Sequence, residues 1–122
     1  MVVHVITARI YTGDVYFLGK IVATGLLGGW YKKLLEAEQF TDSVSADRIF
    51  EALIAYFIQP PMGRSLFDPW VLTSIYERAR VVELGVARVE HDTPIFSRRR
   101  ALNLQPLVNP KQNSLARRPK VA

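Results

Sequence analysis

Apolar residues recur at helical spacing in several parts of the chain, which predicts amphipathic helices. In the first such part, Leu18, Ile21 and Val22 lie on one helical face. Asp14 precedes this face and can cap the helix, and Gly25 can end it in a left-handed conformation. This pattern predicts a helix over residues 15–25.

Two flanking stretches carry weaker patterns. Residues 2–11 are rich in Val, Ile and Thr, which fits either a short strand or an irregular lead into the first helix. Residues 30–40 place apolar residues among lysines and glutamates, which predicts a short amphipathic helix at best. The structure of residues 2–11 therefore stays open between two alternatives.

The next predicted helix, over residues 46–58, is apolar almost all round. Ser45 can cap it, and Pro60 and the proline after it end it. Between residues 49 and 58 the only charged side chain is Glu51. A helix with so little polar surface must be covered on several sides, which indicates a protein partner. The side chains expected at that interface are Ile49, Leu53, Ile54 and Phe57.

Asp68 and Pro69 form the clearest helix start in the chain. Asp68 is the expected N-cap, and Pro69 occupies the first helical position, where its missing amide costs nothing. Apolar residues continue at helical spacing until Gly85, which can end this helix. The fold class predicted is therefore mostly α, with a small helical body of three to four helices over residues 1–92. An extended basic C-terminal tail follows over residues 93–122.

The tail carries the basic character of the chain, whose formal net charge is +5. Residues 1–92 hold nine basic and eleven acidic side chains, whereas residues 93–122 hold seven basic and no acidic ones. Arginine binds phosphate bidentately, and an extended chain can lie in a groove between nucleic-acid helices. The tail is thus expected to bind RNA, although a solubilising tail or one that binds acidic proteins has the same composition. The predicted RNA-binding residues are Arg98, Arg99, Arg100, Lys111, Arg117, Arg118 and Lys120.

The composition also limits the chemistry that the chain can perform. With no cysteine, it has no disulfide framework, iron–sulfur cluster, thiolate zinc site or cysteine nucleophile. Its two histidines, His4 and His91, are far apart in sequence, so no metal site is predicted. No catalytic residues are predicted either, and no cofactor is expected. The apolar stretch over residues 21–31 is shorter than the roughly 20 residues that a membrane-spanning helix needs.

Three stretches, in this order, resemble one known family. The first runs from Lys20 to Leu27 and is followed by the aromatic pair at 30–31; the second is residues 47–50 with the apolar helix after it. The third is residues 66–69, which precede the helix predicted to end at Gly85. Together they resemble the small-subunit protein 23 family of the mitochondrial ribosome, over residues 15–90.

The resemblance implies a structural, non-catalytic constituent of the small subunit of the mitochondrial ribosome. Such a protein would lie in the mitochondrial matrix and bridge ribosomal RNA and neighbouring ribosomal proteins, with no small-molecule substrate and no membrane span. The alternative is an accessory, non-catalytic subunit of a mitochondrial membrane complex, either a respiratory complex or ATP synthase. That alternative would account for the apolar helix, and its basic tail could bind acidic proteins or anionic lipid.

Overall fold

Residues 2–60, 63–68, 71 and 81–102 are described by the computed structural model, and within them five strands form one antiparallel sheet. Their order across the sheet is β3-β2-β1-β4-β5. The same ranges contain the α-helix α1 (Ser43–Ile58) and a 3₁₀ turn at Leu34–Glu36. The strands are β1 (Val3–Ile10), β2 (Val15–Lys20), β3 (Leu27–Tyr31), β4 (Val81–Glu90) and β5 (Thr93–Ala101).

Helix α1 covers one face of the sheet, which we call the helix face. Phe50, Leu53 and Phe57 are buried there against side chains of β1, β2 and β4 such as Ile6 and Leu84. Because side chains alternate between the two faces of a strand, every second residue of β1 packs under α1. This layer holds most of the hydrophobic core of the described residues.

A smaller apolar cluster lies on the opposite face of the sheet. It contains Val5, Phe17, Ala87 and Val89, which are all buried. Leu34, from the 3₁₀ turn, packs against it. The central strand β1 is therefore buried on both faces, which explains why its sequence is almost continuously apolar instead of alternating.

The prediction of a mostly helical protein is wrong, because the described residues are dominated by the sheet. Residues 15–20, expected to be helical, form β2, whose valine and aromatic residues favour strands. Asp14 caps no helix: its main-chain carbonyl accepts from the amide of Ile10 at 3.0 Å, in a turn where Gly13 has φ +100°. Gly25 does have a left-handed conformation, with φ +72°, but it lies in the turn before β3.

Two further expectations for the N-terminal half are now decided. Residues 2–11 are mainly strand, as β1 shows. The helix predicted over residues 30–40 is wrong, because Trp30 and Tyr31 end β3 and only Leu34–Glu36 make a helical turn, of 3₁₀ type. Phe40 pairs with His4 through two main-chain hydrogen bonds of 2.8 Å and so extends the sheet beside β1.

The helix predicted over residues 46–58 is confirmed, although it starts three residues earlier. Its N-cap is Asp42 instead of Ser45: the Asp42 carboxylate accepts from the Ser45 amide at 2.7 Å. The cap also accepts from the Ser45 hydroxyl at 3.1 Å. The described residues contain no helix long and apolar enough to cross a membrane.

The helix predicted from Asp68 and Pro69 to Gly85 is wrong at its C-terminal end, whereas near its start Val71 is helical and its amide donates to the main-chain carbonyl of Asp68 at 2.8 Å. Pro69 and the centre of the expected last helix, residues 72–80, lie outside the described residues. Gly85 ends no helix, because it lies in the middle of β4. A two-residue turn with positive φ at His91 (53°) and Asp92 (64°) then connects β4 to β5, as in tight hairpins.

The first nine residues of the predicted tail are therefore a strand. Residues 93–101 form β5, which pairs with β4 over its whole length, so the expectation of an extended coil is wrong there. The pairing supplies the order that the tail lacks on its own. The boundary at residues 92 and 93 falls inside the hairpin turn, and the tail begins as part of the sheet.

Candidate nucleic-acid interface

The three consecutive arginines of β5 point to two different faces of the sheet. Arg98 lies opposite Val86 and Arg100 opposite Leu84, and both partners belong to the core under α1. Arg99 lies opposite Gly85 and therefore projects from the other face. The arginines cannot act as one continuous cluster, because the strand separates the middle side chain from its two neighbours.

Arg98 is bound by helix α1. Its guanidinium donates to the Glu51 carboxylate and lies 3.5 Å from a carboxylate oxygen of Asp47. Its central carbon lies 4.6 Å from the centroid of the Phe50 ring, a cation–π contact. The hydrogen bond to Glu51 raises the pKa of Arg98 above its usual value. Both acidic partners neutralise this arginine, so it is a connection between β5 and α1 and not a free cation.

Arg99 and Arg100 are exposed, and they are the β5 arginines that an anionic partner can reach. The guanidinium of Arg99 lies 5.2 Å from the centroid of the Phe96 ring, on the face opposite α1. Arg100 projects from the helix face beyond the core. The other predicted RNA-binding residues, Lys111, Arg117, Arg118 and Lys120, lie outside the described residues.

The described part of the chain is electrically neutral. It holds ten basic and ten acidic side chains, so the whole excess of +5 belongs to residues 72–80 and 103–122. Several opposite charges are paired across the sheet or along it, such as Arg9 with Glu83 at 3.4 Å. Attraction for an anionic polymer is thus concentrated at the C-terminal end of β5 and in the residues that follow it.

The four side chains expected at a protein interface pack within this chain. Leu53, Ile54 and Phe57 are buried in the core between α1 and the sheet, and Ile49 is half-buried against the same core. The apolar sequence of α1 is explained by the sheet that it covers. The apolar pattern of α1 is thus explained without a partner protein. Contact between these four residues and another protein stays a prediction.

A shallow pocket lies beside the C-terminal half of α1. It has a volume of about 290 Å³, and the described side chains that line it include Ala52, Tyr56 and Phe67. Burial raises the pKa of Tyr56, and the nearby charge of Asp68 raises it further. No acidic or histidine side chain is among the described residues of its lining. Nor do the described ranges bring together three or more side chains that could hold a metal ion.

Two features of this region are not predicted from the sequence. They are the pairing of Arg98 with Asp47 and Glu51 on α1, and the position of Phe96 on a strand opposite Ala87. The signal that could have revealed them is the pair of apolar, β-branched stretches on either side of His91 and Asp92, which is typical of a hairpin. A strand at residues 93–101 would have separated the arginines onto two faces.

Comparison with protein-family models, with curated proteins and with solved structures finds no match to this chain.

Proposed function

We propose that this protein is a non-catalytic RNA-binding protein that contacts RNA phosphate through the end of β5 and the C-terminal residues. The observation that carries the proposal is the position of Arg99 and Arg100. Both are exposed on an edge strand that leads directly into residues 103–122, which hold four basic and no acidic side chains. A neutral body with one basic end binds a polyanion at that end.

Arginine is the residue type best suited to this role. Its planar guanidinium donates two parallel hydrogen bonds to a phosphate group, and it stays charged at every physiological pH. Arg98 differs from its neighbours because Glu51 and Asp47 already accept its hydrogen bonds. The proposed RNA contacts therefore begin at Arg99 and continue through Arg100 to the four C-terminal cations.

The particular setting that we propose is the small subunit of the mitochondrial ribosome, in the mitochondrial matrix, beside ribosomal RNA and other ribosomal proteins. This part rests on the sequence resemblance alone. The helical body that the resemblance implies is not the observed fold, so the charge distribution is the stronger support. The proposal of RNA binding does not depend on the ribosomal setting.

Sedimentation of the native protein tests both levels of this proposal. A lysate of purified mitochondria is centrifuged through a sucrose gradient, with and without ribonuclease, and the chain is followed with an antibody. We expect it to sediment with the small-subunit RNA and to move to the top of the gradient after ribonuclease treatment. Sedimentation with another RNA species would overturn the ribosomal setting only. Insensitivity to ribonuclease, with recovery in a membrane complex, would contradict RNA binding and favour an accessory subunit.

A further inference from the structure

We propose that the ring of Phe96 is a stacking platform for an unpaired nucleobase, so that the RNA bound by this chain is single-stranded. This inference rests on the proposed function and assigns it a ligand class. It joins two side chains on the face of the sheet opposite α1. Phe96 would stack on a base, while Arg99 would bind the phosphate beside that base.

A bulge in β5 places Phe96 on this face. The register between β4 and β5 shifts between Val86 and Ala87, and Ser97 is the extra residue on β5. Phe96 therefore lies opposite Ala87 and shares the face of the smaller apolar cluster, while Arg98 faces the helix. Without the bulge, Phe96 and Arg98 would project from the same face, because side chains two residues apart in a strand do so.

The ring of Phe96 lies close to Gly85 on the neighbouring strand. A Cβ atom added to Gly85 would lie 3.2 Å from Cδ1 of Phe96, so the ring rests where a larger residue would have a side chain. The Phe96 side chain is nevertheless partly open to solvent, since the residue is 38% exposed. An aromatic ring that packs against a strand and is still partly open to solvent can stack with an unpaired base of a single-stranded nucleic acid.

Arg99 now occupies part of the space above this ring. Its central carbon lies 5.2 Å from the ring centroid, and its side chain is exposed. A nucleobase stacks on an aromatic ring more strongly than an exposed guanidinium does. A base can therefore replace the arginine over Phe96 and leave the guanidinium free for the adjacent phosphate.

Only an unpaired base can make this contact. In the interior of an RNA duplex each base is stacked on both faces and paired at its edge, so it cannot stack on a ring at a sheet surface. Phosphate binding by the arginines makes no such distinction between strands and duplexes. A preference for single strands would therefore come from Phe96.

Ile95 provides a matched control for Phe96. The two residues are neighbours on β5, and both are partly exposed, Ile95 at 45% and Phe96 at 38%. Ile95 lies opposite Arg88 and projects from the helix face, away from Arg99. The experiment measures binding of the full chain to a single-stranded RNA of ten nucleotides that carries the fluorescent base 2-aminopurine, and to the matching duplex.

We expect the Phe96→Leu variant to bind the single strand about tenfold more weakly than wild type. The Ile95→Ala variant should bind like wild type, and Phe96→Trp should retain the affinity. Wild type and Phe96→Trp should quench 2-aminopurine, whereas Phe96→Leu should not. Removal of an uncharged ring should leave the salt dependence of binding unchanged, because no phosphate contact is lost.

Two outcomes separate this inference from the proposed function. If wild type binds the single strand in a salt-dependent way but Phe96→Leu binds equally well, the stacking site is wrong and phosphate binding stands. Equal affinity of wild type for the single strand and the duplex would also overturn the stacking site. If wild type binds neither RNA at low salt, the proposed function itself fails, and the inference fails with it.

Discussion

The guanidinium carbon of Arg98 lies 4.6 Å from the centroid of the Phe50 ring, and this contact joins the edge strand β5 to helix α1. Two ion pairs, with Asp47 and Glu51, surround it. The residue that the sequence presents as the first of three phosphate-binding arginines is thus part of the packing between helix and sheet. Its neighbours Arg99 and Arg100 are left for external ligands.

Replacing Arg98 by alanine should lower the free energy of unfolding by about 1 kcal/mol. The cation–π contact and the two ion pairs are all partly exposed, and each such contact contributes less than about 1 kcal/mol. The control is Arg100→Ala, on the same strand and the same face, which should change stability by less than about 0.5 kcal/mol. Urea denaturation of the three proteins measures the difference. Equal losses in the two variants would contradict the structural role of Arg98.

Gly19 should not tolerate a side chain. A Cβ atom there would lie 2.5 Å from Cε2 of Tyr31 and 2.7 Å from the carbonyl oxygen of Glu36. The second of these neighbours is backbone and cannot rotate away, so Gly19→Ala should cost about 1–3 kcal/mol through overpacking.

The matched control for this substitution is Gly63→Ala, because no heavy atom lies within 4 Å of a Cβ atom at that position. It should be neutral or slightly stabilising. Thermal unfolding followed by circular dichroism checks both variants. A Gly19→Ala protein with the same unfolding temperature as wild type would show that Tyr31 and the main chain of Glu36 do not lie against Gly19 in this way.

Leu53 should contribute far more to stability than Ile58, although both are apolar residues of α1. Leu53 is fully buried against the sheet, whereas Ile58 is 54% exposed. Leu53→Ala should destabilise the isolated chain by about 2–5 kcal/mol, as for other buried leucines. Ile58→Ala should change it by less than about 0.5 kcal/mol. Chemical denaturation of the purified protein gives both values, and similar losses would mean that α1 does not cover the sheet through Leu53.

The N-cap of α1 should make part of the stability depend on pH. The amide of Ser45, with help from its hydroxyl, donates to the Asp42 carboxylate and lowers its pKa below the usual value. A carboxylate with a depressed pKa in the folded state stabilises the fold fully above its unfolded pKa of about 3.9. That stabilisation is lost as the pH falls through the lower pKa of the folded state.

Asp42→Asn separates the cap from its charge, because asparagine caps helices about as well as aspartate but does not titrate here. The variant should match wild type near pH 6 and lose less stability than wild type between pH 6 and pH 3. Urea denaturation at the two pH values measures this difference. Equal losses of stability in the two proteins would show that the charge of the Asp42 carboxylate does not contribute to the cap.

The sequence predicts α1 well because several signals coincide there. Cap residues precede residues 46–58, prolines follow them, and the apolar positions repeat with helical spacing. The strands lack comparable signals. β1 is buried on both faces, so its residues do not alternate, and in residues 15–25 the apolar positions fit a helix as well as β2 and the turn after it. Only pairing with distant strands decides between these structures, and pairing is not visible in a short window.

The candidate site was only partly predictable for the same reason. The basic character of the C-terminal residues is evident from composition. The division of its arginines is not, because it depends on the pairing of β5 with β4 and on the bulge at Ser97. The acidic partners of Arg98 lie on α1, some fifty residues earlier in the chain, and only the tertiary structure brings them to it.

The most direct test of RNA binding by the exposed arginines is the salt dependence of the affinity for a single-stranded RNA. Fluorescence anisotropy gives the dissociation constant of the full chain between low and moderate salt. Each phosphate contact contributes about −0.7 to the slope of log affinity against log salt concentration. The Arg99→Ala/Arg100→Ala variant should therefore flatten the slope by about 1.4 if both arginines bind phosphate.

A second double variant, Arg48→Ala/Arg64→Ala, removes the same charge from exposed residues outside β5 and should keep the wild-type slope. We predict a steep slope for wild type, a flatter one for the β5 variant and no change for the control. An unchanged slope in the β5 variant, or equal flattening in both variants, would contradict RNA binding by Arg99 and Arg100.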